Sequence, residues 1–197
     1  MKPFSQSCEN NKDSILSIIT PLLTGKRLVL EIGSGTGQHA VYFSEQLPHL
    51  NWQTSDRKEN HEGINLWIDD ASLKNLERPI EIDVFDYQWP DQRYDAVYSA
   101  NTAHIMSWSA VEAFFKGVGE ALQESGIFIL YGPFNYNGAF TSDSNERFEQ
   151  WLKDTDVERG IRDFEAVNLL AETNGMKLTH DYEMPANNRI LVWRKDR

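Results

Sequence analysis

Two kinds of pattern alternate along this chain. The runs LVLEI (residues 28–32) and IFILY (127–131) are apolar with almost no interruption. Strands covered on both faces of a sheet show no polar alternation, so both runs predict buried parallel strands. Elsewhere the apolar positions recur with helical spacing. Val111, Phe114, Phe115, Val118 and Leu122 stand at i, i+3, i+4, i+7 and i+11, one face of an amphipathic helix.

Read in order, the pattern predicts a helix over Asn11 to Leu23, a strand from Arg27 to Ile32, and a helix from Gly37 that turns Ala40, Phe43 and Leu47 inward. A short strand, Asn51 to Thr54, precedes a helix with Ile64, Trp67 and Ile68 on one side. Strands follow at Ile80 to Ile82 and Tyr94 to Ser99. The amphipathic helix is then closed by Gly126, and the strand Ile127 to Tyr131 comes next. A helix carries Phe148, Trp151 and Leu152, and another spans Arg162 to Thr173 before Asn174-Gly175, a C-terminal stop. The strands Lys177 to Glu183 and Arg189 to Arg194 flank MPANN as a hairpin. Alternating strands and helices define an α/β doubly wound, Rossmann-like fold. The expectation is a mostly parallel seven-stranded sheet with a C-terminal antiparallel hairpin and helices on both faces. One domain is expected over residues 1–197, with residues 1–24 as a helical cap.

The first strand runs into a turn of special composition. Glu31 is followed by Gly33, Ser34, Gly35, Thr36 and Gly37. Glycine permits positive φ and lets a ligand approach the backbone closely, and the helix that follows offers free N–H groups. A dinucleotide fingerprint requires G-x-G-x-x-G; Gln38 stands where its third glycine belongs. The alternating E-x-G-x-G-x-G form instead resembles the first motif of class I methyltransferases that use S-adenosylmethionine. A dinucleotide brings a pyrophosphate to the helix N-terminus. S-adenosylmethionine brings an amino acid and a sulfonium, for which Glu31 is a suitable electrostatic partner.

Ligands of doubly wound sheets bind outside the carboxyl ends of the strands, and that rule selects further candidates. Asp56 ends the second strand, 19 residues beyond Gly37, where a carboxylate can accept the two hydroxyls of a ribose. Asp83 ends the third, followed by Val84 and Phe85, an acid, a backbone N–H and a ring suited to adenine. The competing reading of each acid is a helix cap or a solvated loop residue. Asn101, after the fourth strand, either lines the methionine end of the cofactor or caps a turn. The segment there, Asn101-Thr102-Ala103-His104, has no proline, unlike the Asn/Asp-Pro-Pro-aromatic segments of enzymes that methylate exocyclic amines.

His104 lies at this edge with an ordinary pKa near ~6.5, suited to a general base; its other reading is a hydrogen-bonded histidine beside the core. His39 sits in the helix after the glycine turn, beside the cofactor. The segment after the fifth strand brings Tyr131, Phe134 and Tyr136 towards the mouth of the cleft as a substrate pocket, or else packs them on the last helices. Asn187 and Asn188, in the hairpin turn, are expected at the same edge.

Net charge is −11 and no Lys/Arg cluster stands out, which disfavours a nucleic-acid partner. No run approaches the about 18 apolar residues of a membrane span, and the N-terminal segment lacks the apolar core of a signal peptide. A single cysteine, Cys8, gives no disulfide framework or cysteine-rich metal site; no metal is expected, and the default location is the cytoplasm.

Several motifs together resemble one family: ENNK at Glu9, EIGSGTGQHAVYF at Glu31, Ser55-Asp56, NTAHI at Asn101, YGPF at Tyr131, Ser144-Asn145, GIRD at Gly160 and MPANN at Met184. They are similar to an uncharacterised methyltransferase-like family, formerly a domain of unknown function, with bacterial members and a human methyltransferase-like protein. The resemblance spans nearly the whole chain. It departs where the family carries a proline after the ENNK-like stretch; Asp13-Ser14 stand here. It implies the class I fold and S-adenosylmethionine at the positions above, and supplies no substrate. The resulting expectation is a methyltransferase acting on a small molecule, of open oligomeric state. The alternatives are a non-catalytic regulator that binds S-adenosylmethionine or S-adenosylhomocysteine, and an NAD-dependent oxidoreductase.

Overall fold

The structure is a computed structural model that describes residues 1–85 and 89–196. Its elements are α1 (Gln6–Leu22), β1 (Leu28–Ile32), α2 (Gln38–Gln46), β2 (Asn51–Asp56), α3 (His61–Ala71), β3 (Leu76–Glu81) and β4 (Tyr94–Ala100). There follow α4 (Trp108–Ala121), β5 (Leu122–Gly132), β6 (Phe134–Asn135), α5 (Asp143–Thr155), β7 (Arg162–Asp163), α6 (Phe164–Thr173), β8 (Met176–Met184) and β9 (Asn188–Lys195). The large sheet has the order β3-β2-β1-β4-β5-β9-β8. Only β9 runs against the others, pairing antiparallel with β5 on one side and β8 on the other. The expected α/β architecture and terminal hairpin are present.

Successive residues of the central strands face opposite sides, and both sides are buried. Leu30, Val97, Phe128 and Trp193 join the core under α4 and α6. Val29, Tyr98, Ile129 and Val192 join the core under α1, α2 and α3. This explains why LVLEI and IFILY show no polar alternation: neither face meets water.

Several boundaries differ from the sequence expectation. Helix α1 starts at Gln6 rather than Asn11, because the Ser5 hydroxyl caps it by accepting from the Cys8 N–H. Helix α4 stops at Ala121, and β5 begins there, five residues ahead of Ile127. Arg162-Asp163 pair as a short strand with Phe134-Asn135 before α6 begins.

The chain leaves the sheet edge at β3 and returns to pair β4 beside β1. The strand order therefore reverses between β1 and β4, and a crevice opens outside their carboxyl ends.

Candidate functional site at the β1/β4 switch point

A cavity of about 400 Å³ occupies that crevice, with Glu31, Gly33 and Gly35 on the β1 side and Ala100, Asn101 and His104 on the β4 side. The turn between β1 and α2 is shaped by its glycines. Gly33 has φ +73° and a Cβ there would stand 2.6 Å from Thr102 Cγ2. Gly37 caps α2 in the left-handed region. The Gly33 and Ser34 N–H groups both donate to the Ser55 carbonyl, which ties the turn to the end of β2.

Glu31 is buried, and its Oε2 accepts from the Ser34 hydroxyl at 2.9 Å and the Trp52 indole at 3.1 Å. Its Oε1 receives no protein donor among the described residues. Burial pushes the Glu31 carboxyl up to about 7, partly offset by those two donors, and the nearby Asp56 charge adds to the rise. Among the described residues no lysine or arginine lines the cavity. A buried carboxylate without a cation is costly, so the site favours a positively charged ligand.

Asp56 is buried at the end of β2, but it lies outside the lining of this cavity. Its Oδ2 accepts from the Gly35 N–H at 2.7 Å; its Oδ1 accepts from the Arg57 N–H and the Asn60 amide. The acid expected to meet a ribose thus also holds the glycine turn. Each carboxylate oxygen has two lone pairs, so Oδ2 retains one for a ligand hydroxyl.

The other candidates divide. Ser34, Thr36 and Asn101 line the cavity. Gly37, at the cap of α2, is not part of that lining and lies beside Ile64 and Trp67 of α3. Asn101 adopts φ +58°, its N–H donates to the Tyr131 carbonyl, and its side-chain amide has no protein partner among the described residues. His39 also lines the cavity, but both ring nitrogens are engaged: Nε2 meets Asn11 Oδ1 at 2.7 Å and Nδ1 stands 3.4 Å from the Tyr98 hydroxyl. Burial lowers its pKa to about 4. Asp83, Val84 and Phe85 lie just past β3 outside this cavity, with Asp83 accepting from the Phe85 N–H at 3.0 Å and Phe85 more than half exposed.

His104 lines the cavity, is buried, and packs edge-on against Phe148. Burial, helped by the Arg162 and Arg159 charges, lowers its pKa to about 4. An efficient general base has a pKa near the working pH. Burial thus disfavours the protonated imidazole and weakens His104 as a base at neutral pH, while leaving it suited to accept a hydrogen bond.

Three expected pocket residues are placed elsewhere. Phe134 is in the core under α4 and α6. Tyr136 stacks on Phe164 with ring centroids 5.1 Å apart and donates to Asp181. The apolar mass of both rings is better buried against α6 than held over a solvent-filled cleft. Asn187 donates to the Ser144 hydroxyl and faces solvent, whereas Tyr131 and Asn188 do line a neighbouring cavity.

Residues near the N-terminus complete the crevice, which the sequence did not predict. Ser5, Ser7 and Cys8 line it opposite Phe148 and Trp151. Gln38 draws this segment in: its Nε2 donates to the Ser5 carbonyl and to Glu9. Burial raises the Cys8 thiol pKa, which leaves it protonated and unreactive at neutral pH. Among the described residues no cluster of three metal-ligating side chains is present, and no helix is long and apolar enough to cross a membrane.

The strand order, the antiparallel β9 and the glycine turn at the switch point define the Rossmann-like fold of class I methyltransferases. An O-methyltransferase family protein from Burkholderia thailandensis superposes with TM-score 0.79 at 11% identity, over 94% of this chain and 58% of that one. The S-adenosylmethionine-dependent methyltransferase SibL gives 0.81 at 18% identity, over 96% and 56%. Human N-acetylserotonin methyltransferase in complex with SAM gives 0.80 at 15%, over 98% and 53%. This chain spans a little over half the length of each. The chain belongs to the family described as "Protein of unknown function (DUF938)", whose sequence profile matches residues 2–195.

Proposed function

We propose that this chain binds S-adenosylmethionine and directs its methyl group to a small molecule. The observation that carries the proposal is Glu31, a buried carboxylate that, among the described residues, has one oxygen unpartnered in a cavity lined by no lysine or arginine. An adenosyl amino acid bearing an ammonium and a sulfonium answers that charge. A pyrophosphate would add negative charge beside Glu31 and Asp56, which argues against a nicotinamide dinucleotide.

When bound, the cofactor supplies a methyl group already activated on sulfur. The chain's own residues bind and orient. Glu31 neutralises the ammonium, the Gly33–Gly37 turn admits the ligand to the backbone, and Asp56 fixes that turn while offering a lone pair to a ribose hydroxyl. Asn101 presents a free amide at the β4 side. His104, on the wall of the same cavity, offers a neutral imidazole as a hydrogen-bond acceptor to the bound ligand; positioning of this kind supplies much of a transfer enzyme's rate.

Calorimetry with S-adenosylmethionine, S-adenosylhomocysteine and NAD, each alone, tests the cofactor. Binding of the first two and not the third is expected, and binding of NAD alone overturns the proposal. Methyl-labelled S-adenosylmethionine incubated with cell extract then separates an enzyme, which yields labelled product, from a regulator that binds without turnover.

A further inference from the structure

We propose that a second cavity beside the first is the acceptor subsite, and that it admits an uncharged small molecule bearing hydroxyl groups. This deepens the methyltransferase reading and rests on it. The cavity encloses about 380 Å³ and shares Ser7, Asn101 and Phe148 with the cofactor cavity, so the two spaces adjoin at those side chains. Among the described residues five asparagines line it, at positions 10, 11, 101, 145 and 188, and no lysine, arginine, aspartate, glutamate or histidine does.

The polar atoms left over define what fits. Asn145 is 5% exposed, and its Nδ2 is spent on Thr141 Oγ1 and the Asn187 carbonyl. Its Oδ1 meets no protein donor among the described residues. Asn188 Nδ2 reaches the Pro185 and Ala186 carbonyls, again leaving Oδ1 unused. Among the described residues neither oxygen is a sealed, unpartnered atom, so each is open to a hydrogen bond donated by a ligand in the cavity. At the junction Asn101 holds an unused amide, and buried Tyr131 brings a hydroxyl that Asn11 contacts. Phe148, Pro133 and Pro185 add an apolar face.

A hydroxyl is both donor and acceptor, and so matches a wall offering both. A carboxylate or phosphate would enter with no cation to replace its water, and an ammonium with no carboxylate; burying either charge is unfavourable. Transfer to such a hydroxyl forms the O–CH₃ bond as the C–S bond breaks. The electron pair stays on sulfur, and the hydroxyl proton passes to water.

The test uses the full chain saturated with S-adenosylhomocysteine and three ring probes of similar size: resorcinol, benzoate and benzylamine. Saturation is checked first by calorimetry; failure at that step sinks the cofactor reading rather than this one. Side-chain amide resonances of Asn145 and Asn188 are then followed by NMR. Resorcinol should shift both, the charged probes neither, at equal concentration. Asn145→Leu should weaken resorcinol at least tenfold while S-adenosylhomocysteine affinity stays within twofold. Ser144 also lines this cavity, and Ser144→Asp guards against an unfolded variant, since an acid is favourable in the first turn of α5; it should admit benzylamine. Benzoate or benzylamine binding the wild type as well as resorcinol, or no probe shifting either amide, overturns the proposal.

Discussion

The indole N–H of Trp52 donates to Glu31 Oε2 at 3.1 Å across the first two strands of the sheet. A core side chain with no exposure thereby tunes the charge of the group that faces the cavity. Removing that donor disfavours the carboxylate, because hydrogen bonds to a charged form stabilise it. We predict that Trp52→Phe weakens S-adenosylmethionine binding at pH 7 by about 1.5–3 kcal/mol, the range for hydrogen bonds to charged groups. Part of the loss should return at pH 8.5. Calorimetry at both pH values decides; equal loss at each would mean the indole acts by packing alone.

The Glu31 carboxyl, raised to about 7 from its usual 4.5, predicts a pH-dependent affinity. A cationic ligand binds the ionised form, so affinity should tighten as pH rises from 5.5 to 8. Glu31→Gln should bind more weakly and without that slope. In the ligand-free protein the sign is reversed. The folded state holds this proton more tightly than the unfolded chain, so the stability Glu31 contributes is present below pH 4.5 and lost as pH rises through 7. The loss is at most about 3 kcal/mol by that linkage. Ligand-free Glu31→Gln should therefore melt higher than the wild type at pH 8.

His39 and His104 behave in the opposite sense. Both are lowered to about 4, so the unfolded chain takes up protons that the folded one refuses between pH 6.5 and 4. The stability they contribute is present above pH 6.5 and lost as pH falls through 4. We predict that His104→Gln loses less stability than the wild type between pH 7 and 4.5. Urea midpoints at the two pH values measure it, and parallel losses would remove His104 from the acid response.

Gly33 is fixed by conformation and by space at once. Gly33→Ala should cost about 1–3 kcal/mol in stability through its positive φ, with a further steric cost against Thr102 Cγ2. Thr102→Ser deletes that methyl while keeping the hydroxyl that meets Ser99 at 2.7 Å. The double variant should recover part of the loss. Strict additivity of the two changes would show that the methyl contact is immaterial.

Asp56 bears on the ligand and on the turn together. Asp56→Ala frees the Gly35 N–H that its carboxylate holds at 2.7 Å. We predict S-adenosylmethionine binding weaker by about 1.5–3 kcal/mol, the loss of charged acceptors. An unchanged dissociation constant would exclude Asp56 from the site.

The parts of this fold that were legible in sequence are those set by local periodicity. LVLEI, IFILY and the Val111–Leu122 face declare their burial directly, and Glu31 with the glycines marks the turn where the strand order reverses. What stayed hidden depends on tertiary partners. Residues Gln6 to Lys12 are mostly polar and show no helical face, yet Gln38 and His39 engage Ser5, Glu9 and Asn11 and so bring that stretch over the crevice. Phe134 and Tyr136 looked equally suited to a lid or to a core, since composition does not reveal which neighbour a loop ring will meet. Asp56 was visible as a strand-end acid, but its bond to Gly35 was not, because the two meet only once β1 and β2 are paired.

The placement of β9 governs how the molecule can be assembled. Residues 188–195 insert between β5 and β8, so a nascent polypeptide that has emerged only through β8 carries an open seam in its sheet. Both flanking strands then present unsatisfied backbone groups, the kind of edge that recruits foreign chains. Between the emergence of β8 and that of β9 the sheet should therefore pass through an interval of adhesiveness that ends when one strand slots home.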